Sequence, residues 1–293
     1  MQVTAIVYHA HCLDGLCAAA IAKIEFPHAR CIAASYSTPI PQFEDGDGVL
    51  MVDFCYPPET LKQVSPTVSV MILDHHESSR LALAAHPDAV LVSAATPEAN
   101  REVYRLAPNV AAAFSLDQSG AEFTWSFLHP KEPMPMAVRW VGDRDMWRWK
   151  IPDTDAFTIA AYDRCQNVED WYDLIHCDEA CGPLLEHGKT LLAQRDVKVA
   201  EQAARAEPWE VPGLPEARGW YVKDCEGFLS ETGAKVLKDM GGGVVALERF
   251  STERNRYEVS LRSDGSVDCS VLAGRFGGGG HVRAAGYVLP TSA

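Results

Sequence analysis

The run VMILDHHESS (70–79) places Asp74, His75 and His76 directly after four apolar residues of the kind that build a buried strand. An acid and two imidazoles in succession can hold a divalent ion or move protons at a strand end. Three further stretches carry groups of the same kind: His9 and Asp14 in YHAHCLDG (8–15), Asp53 in MVDFCYPP (51–58), and Asp143 and Asp145 in VGDRDMWRW (141–149). Oxygen and imidazole donors drawn from short loops are what a divalent metal requires. A central carboxylate such as Asp53 is suited to bridge two ions about 3.5–4 Å apart, which together clamp the attacking and leaving oxygens of a phosphoryl transfer. Each group alone has a plain structural reading: Asp14 as a helix cap, Asp53 as a loop hydrogen bond, and Asp143 and Asp145 as a solvated turn beside Arg144. Their convergence on strand ends favours a functional cluster. No G-x-S-x-G elbow occurs, so the expected nucleophile is a metal-activated water.

A second signal lies near the C-terminal end, in GGGGHVRAAG (277–286). Glycines let backbone N–H groups approach an anion closely, and a helix expected to follow would add its N-terminus. His281 and Arg283 offer charge-assisted hydrogen bonds. Residues 241–293 hold six arginines, five acids and no lysine, a balance of +1 in a chain whose net charge is −14. An arginine-only segment on an acidic protein suits bidentate phosphate contact.

The elements that must position these groups are legible from apolar patterning. VTAIVY (3–8), RCIAASY (30–36), GVLMVDF (48–54), VSVMILD (68–74) and AVLVSAA (89–95) read as strands. The continuous apolar runs among them are typical of parallel strands buried on both faces. DGLCAAAIAKIEF reads as a helix between the first two. The alternation implies an open α/β sheet, whose ligands bind beyond the carboxyl ends of its strands. After residue 100 the pattern reads as helical to about residue 205. SGAEFTWSFL (119–128) opens on the capping-box pair Ser119 and Glu122, and Trp140, Trp147 and Trp149 read as packing. EPWEVPGLPEARG (207–219) reads as a linker. A smaller α/β domain follows, with a helix in GFLSETGAKVLKDM, strands in GGGVVALERF and RYEVSLRS, and a short helix in SVLAGRF. The expected divisions are 1–190 for the metal-binding catalytic domain, 191–218 for a helical connector and linker, and 219–293 for a substrate-binding domain, with the active site in the cleft between domains.

With 293 residues, 47% hydrophobic and 23% charged, the composition is that of a globular chain of two domains. No apolar run reaches the roughly 18–20 residues needed to span a bilayer, and MQVTAIVYHA reads as a first strand rather than a signal peptide. Nine irregularly spaced cysteines argue for a reducing cytoplasm over a disulfide framework. The negative charge disfavours a grip on long duplex nucleic acid. Two motifs are set aside. GPLLEHGKT (182–190) has five residues between its glycines where a P-loop has four. His176, Cys177, Cys181 and His187 match no standard zinc spacing.

The ordered set His9/Asp14, Asp53, Asp74-His75-His76, Asp143 and GGGGHVRAAG resembles the DHH phosphoesterase superfamily, in the branch with the DHH-associated C-terminal domain, which includes nanoRNase-like phosphodiesterases of short oligonucleotides. The motifs span almost the whole chain. The resemblance implies two divalent ions, usually manganese, with magnesium or another divalent ion as the alternative. By position, His9 binds the first ion, Asp14 the second, Asp53 bridges, and His75 and Asp143 complete the second site. Asp74 orients His75, and His76 faces the substrate phosphate as the catalytic group. Arg262, Gly278, Gly279, Gly280, His281 and Arg283 hold the rest of the substrate. One departure stands out: the family often has H-x-x-x-D-x-D, and Cys12 stands near the expected first aspartate. Cys12, His11 and Asp145 are therefore additional ligand candidates. The implied activity is hydrolysis of linear dinucleotides or very short oligonucleotides, such as pGpG or nanoRNA, to mononucleotides. Hydrolysis of nucleotide 3′,5′-bisphosphates or polyphosphate, or a catalytically weak nucleotide sensor, are the alternatives. The expected partner is a short nucleotide, with no membrane, and a homodimer is left open.

Overall fold

A computed structural model of the chain describes residues 2–36, 38–94 and 101–289. It forms two compact units, Met1–Leu192 and Ala193–Ala293. The expected connector thus lies almost wholly in the second unit.

The first unit is an α/β domain. Its elements are β1 (Ala5–His9), α1 (Leu13–Glu25), β2 (Arg30–Ala34), β3 (Gly48–Val52), α2 (Pro58–Leu61), β4 (Ser69–Asp74), α3 (Glu77–Ala84), β5 (Val90–Ser93), β6 (Glu102–Ala107), β7 (Val110–Phe114), α4 (Gly120–Leu128), α5 (Met136–Asp145), α6 (Thr154–Arg164), α7 (Tyr172–His176) and α8 (Cys181–Ala203), the last of which runs on into the second unit. The seven strands order as β2-β1-β3-β4-β7-β6-β5. Strands β2, β1, β3, β4 and β7 are parallel, and β6 and β5 add antiparallel. Successive side chains of a strand point to opposite faces, and the core divides accordingly. Ile6, Leu50, Val52 and Leu73 pack with α1 and α4, while Val7, Val49, Met51 and Ile72 pack with Leu61 of α2 and Leu83 of α3. The alanine-rich α1 is buried from Cys17 through Ala22, because small side chains let it lie close to the sheet.

Two expectations change here. Residues 102–114 are not helical but form the hairpin β6–β7, with β7 seated beside β4. Its VAAAF sequence carries three alanines, which favour helices in isolation, so sheet pairing overrides local propensity. The run at 89–95 gives β5, an exposed antiparallel edge strand rather than a buried parallel one, and its last residue lies outside the described residues.

The second unit holds β8 (Glu207–Pro208), β9 (Gly219–Val222), α9 (Leu229–Asp239), β10 (Val244–Ser251), β11 (Arg256–Ser263), α10 (Cys269–Gly274), β12 (Gly279–His281) and β13 (Ala284–Val288), with strand order β12-β13-β11-β10-β9-β8. The glycine run therefore does not open a helix: it follows α10 and turns through the antiparallel β12–β13 hairpin. GPLLEHGKT lies within α8, so it is no phosphate loop. Among the described residues no helix is long and apolar enough to cross a membrane, and all nine cysteines are free thiols.

Candidate metal centre

The chain leaves β1 through α1 to β2 on one side, then returns with β3 on β1's other side. The carboxyl ends of β1 and β3 therefore flank a topological switch point, where open α/β sheets leave a crevice. His9 ends β1, Asp53 directly follows β3, and Asp74 ends β4. Parallel register pairs Tyr8 with Val52 and Val52 with Leu73, so these three residues stand side by side.

Asp53 is the centre of the group. It is buried and holds a left-handed backbone conformation with φ 55°. Its Oδ2 lies 3.5 Å from His9 Nδ1, and its Oδ1 lies 3.1 Å from His75 Nε2. Neither contact is aligned as a hydrogen bond, so both Asp53 oxygens and His9 Nδ1 are buried without one. Burial pushes the Asp53 carboxyl up, but the adjoining His75 and His9 imidazoles outweigh it and hold the group below the usual carboxylate range. Gly120 lets α4 approach this carboxylate: a Cβ there would stand 2.4 Å from Asp53 Cβ.

His75 Nε2 also lies 3.9 Å from Asp14 Oδ2 and 3.6 Å from Asp145 Oδ2. Burial opposes its protonation, yet the Asp53, Asp14 and Asp145 carboxylates win and raise its pKa to about 10. Asp14 sits in the first turn of α1, where it caps a different helix from its own. It accepts from Ser119 Oγ at 2.7 Å, from Gly120 N at 2.5 Å and from Ala121 N at 3.0 Å, at the N-terminus of α4. Ser119 in turn forms the capping box with Glu122. Burial and the nearby Asp53 charge push Asp14 well above the usual carboxylate range.

Three overlapping donor groups result: His9, Cys12 and Asp53; Asp53, His75 and His76; and Asp14, His75 and Asp145, the ligand atoms within each lying within 4.8 Å of one another. Buried carboxylate oxygens and an imidazole nitrogen with no hydrogen-bond partner are costly unless a cation joins them. The donor set fits one or two divalent ions sharing Asp53.

Asp143, Asp74 and His11 stand elsewhere than the resemblance implies. Asp143 does not join the cluster. Its carboxylate accepts from Lys150 N, Ile151 N and Thr154 Oγ1, tying down the loop after α5. Asp145 takes the place beside His75, because residues two apart on a helix point about 200° apart. Asp74 does not orient the His75 ring. Its Oδ1 lies 2.7 Å from His76 Nδ1 and accepts the backbone N–H groups of His75 and His76. Residues 74 and 76 share a side of the extended chain, and residue 75 points the other way. Burial opposes protonation of His76, but Asp74 raises its pKa. His11 takes a left-handed conformation at φ 57° and joins none of the donor groups.

In the second unit a cavity of about 510 Å³ is lined by Arg249, Arg254, Arg256 and Arg262, the Gly277–Gly279 backbone, and Phe276 stacked 4.4 Å from Tyr287. Arg262 is held by Ser260 Oγ at 2.7 Å and Ser230 Oγ at 3.1 Å. Gly280, His281 and Arg283 do not line this cavity. The β12–β13 turn carries them past it, and the Arg283 guanidinium lies beside Gly265 instead. Arg249, Arg254 and Arg256 were not singled out by the sequence pattern, although all converge on Glu258. Trp140 packs as expected, donating to the Pro152 carbonyl, whereas Trp147 is 70% exposed. Among the described residues, His176, Cys177, Cys181 and His187 form no metal-capable group.

Residues 219–293 match the DHHA1 domain family. An uncharacterized protein, R106, of Acanthamoeba polyphaga mimivirus is 24% identical over 309 residues, covering 98% of this chain and 68% of that one. Similar solved structures include a pGpG-specific phosphodiesterase, PggH, of Vibrio cholerae (TM-score 0.49, 11% identity, 97% and 92% of the two chains). An exopolyphosphatase-related protein of Bacteroides fragilis (0.44, 12%, 100% and 88%) and an uncharacterized protein of Helicobacter pylori G27 (0.36, 13%, 100% and 94%) are also similar. The DHHA1 match thus follows, along the chain, the strand-end cluster built around Asp53 and the Asp74-His75-His76 run.

Proposed function

We propose that the protein hydrolyses linear dinucleotides or very short oligonucleotides to mononucleotides, with divalent metal ions and water. The observation that carries the metal chemistry is the Asp53 carboxylate, buried between the His9 and His75 imidazoles with neither oxygen in an aligned hydrogen bond. Ions held by His9, Cys12 and Asp53, and by Asp14, Asp53, His75 and Asp145, would polarise a phosphate oxygen and acidify water. For the half built on Asp14, Asp53, His75 and Asp145, manganese is our choice of native ion, with magnesium the alternative. The chain's own groups then act around that centre. Asp74 fixes the His76 ring through Nδ1 and favours its protonated form, so Nε2–H is the group left to stabilise charge developing on the phosphate. The α4 N-terminus holds Asp14 in place.

The short nucleotide is favoured by the cavity of the DHHA1 domain. Arg262 and the glycine backbone, beside the three arginines gathered on Glu258, suit phosphate, and the Phe276–Tyr287 pair suits a base. The net charge of −14 disfavours long duplexes. A substrate series tests the reading: a linear dinucleotide, oligonucleotides of increasing length, a long duplex and a nucleoside 3′,5′-bisphosphate, each with added Mn²⁺. Turnover should be greatest for the dinucleotide and fall with length. Turnover of the bisphosphate alone would refute the phosphodiester assignment, and tight dinucleotide binding without product would mark a sensor.

A further inference from the structure

Cys12 is the N-cap of α1, yet its side chain makes no cap hydrogen bond. Serine, threonine, asparagine or aspartate would ordinarily hold such a position by accepting from the first-turn N–H groups. The thiol instead belongs to the donor group formed with His9 and Asp53. The other two members are unpartnered on the side they share. Asp53 is 1% exposed and has no hydrogen bond on either oxygen, and His9 Nδ1 is buried without one. His9 Nδ1 and Asp53 Oδ2 stand 3.5 Å apart. Two ligands of one tetrahedral ion at usual bond lengths stand about 3.4 Å apart. The three donors are thus one imidazole nitrogen, one sulfur and one carboxylate oxygen, a set with room for a water or substrate as fourth ligand. The companion groups hold no sulfur: Asp14, Asp145 and the shared Asp53 contribute carboxylates beside the imidazoles of His75 and His76.

We propose that Cys12 is a metal ligand and makes the His9–Cys12–Asp53 half of the centre selective for a thiophilic divalent ion of the zinc or cobalt class, over manganese or magnesium. Sulfur favours softer ions, whereas carboxylate oxygen favours the harder ones. Binding converts the Cys12 thiol to a thiolate: the sulfur–metal bond forms and the proton passes to solvent. The two halves of the centre then hold chemically different ions. This rests on the metal-dependent reading above and assigns one residue the choice of ion.

The test uses the full chain, stripped of metal and titrated with Co²⁺ alone, with absorption and bound cobalt both measured. A near-ultraviolet sulfur-to-cobalt charge-transfer band is expected in the wild type, saturating with the first equivalent. It should be absent in Cys12→Ser and in Cys12→Asp, while Cys12→Asp still binds cobalt. After dialysis against equimolar Zn²⁺ and Mn²⁺, the wild type should retain zinc in this half. Cys12→Asp should lower the zinc-over-manganese ratio on the order of tenfold to a hundredfold. Cobalt bound without the band, or a band unchanged in Cys12→Ser, overturns the proposal and leaves the metallophosphoesterase reading standing. Failure of the wild type to retain any divalent ion overturns both.

Discussion

Asp143 and Asp145, two residues apart on α5, should behave in opposite ways when each is changed to asparagine. The Asp143 carboxylate accepts three hydrogen bonds, at 2.9 Å from Lys150 N, 3.1 Å from Ile151 N and 2.6 Å from Thr154 Oγ1. An amide keeps one accepting oxygen and turns its NH₂ toward a backbone donor, so at least one buried N–H loses its partner. That costs about 2–3 kcal/mol. In a unit approaching 200 residues it lowers Tm by about 5–10 °C. Asp145 accepts no such bonds, and its carboxyl is pushed upward by burial and, against the pull of His75, by the Asp53 charge. Its substitution should leave metal-free stability within about 0.5 kcal/mol while weakening metal binding at least tenfold. At a fixed excess of ion, a tenfold weaker site gives about 1.4 kcal/mol less metal-induced stabilisation. Thermal melts in chelator and then in excess Mn²⁺, with calorimetric titration, separate the two. If Asp143→Asn binds metal poorly at unchanged Tm, and Asp145→Asn melts early but binds normally, the assignment of α5 is wrong.

Three further outcomes follow from the same geometry. His76→Ala should retain metal but lose roughly a hundredfold to ten-thousandfold in kcat; metal loss in that variant would make His76 a ligand. Gly120→Ala would put a Cβ 2.4 Å from Asp53 Cβ, so denaturant unfolding should show a loss of about 1–3 kcal/mol and calorimetry a weaker ion; unchanged values would mean that α4 does not brace Asp53. His75 has its folded pKa raised from 6.5 to about 10, so its contribution to metal-free stability is full below 6.5 and lost as pH rises through 10. Because an ion must displace the same proton, metal affinity should rise with pH across that window, by up to tenfold per unit, whereas pH-independent binding would remove His75 from the ligand set.

Much of this site was legible before the fold was known, and the reasons are local. Continuous apolar runs ending in acids marked β3 and β4, since a strand buried on both faces leaves its polar residue only at the end. The Ser119/Glu122 spacing marked the start of α4. What misled was position counting at short range. Asp143 and Asp145 differ by two residues, a half-turn on a helix, and only the helix's orientation decides which faces His75. Asp74 contacts the His76 ring rather than that of His75, because alternation along the chain matters more than adjacency. The β6–β7 hairpin escaped because VAAAF has no strand periodicity, and the extra arginines of the DHHA1 cavity lie on β10, on β11 and in the turn between them, where the hairpin brings them together.

The central claim is that phosphodiester hydrolysis depends on a divalent ion that Asp53 would hold. Its most direct test is turnover of a linear dinucleotide by the metal-free protein as Mn²⁺ is added back, run in parallel on Asp53→Asn, with bound metal measured in both. The account predicts no product without metal, product rising with bound ion in the wild type, and loss of both ion and product in the variant. Full turnover in chelator, or wild-type turnover by Asp53→Asn, would contradict it.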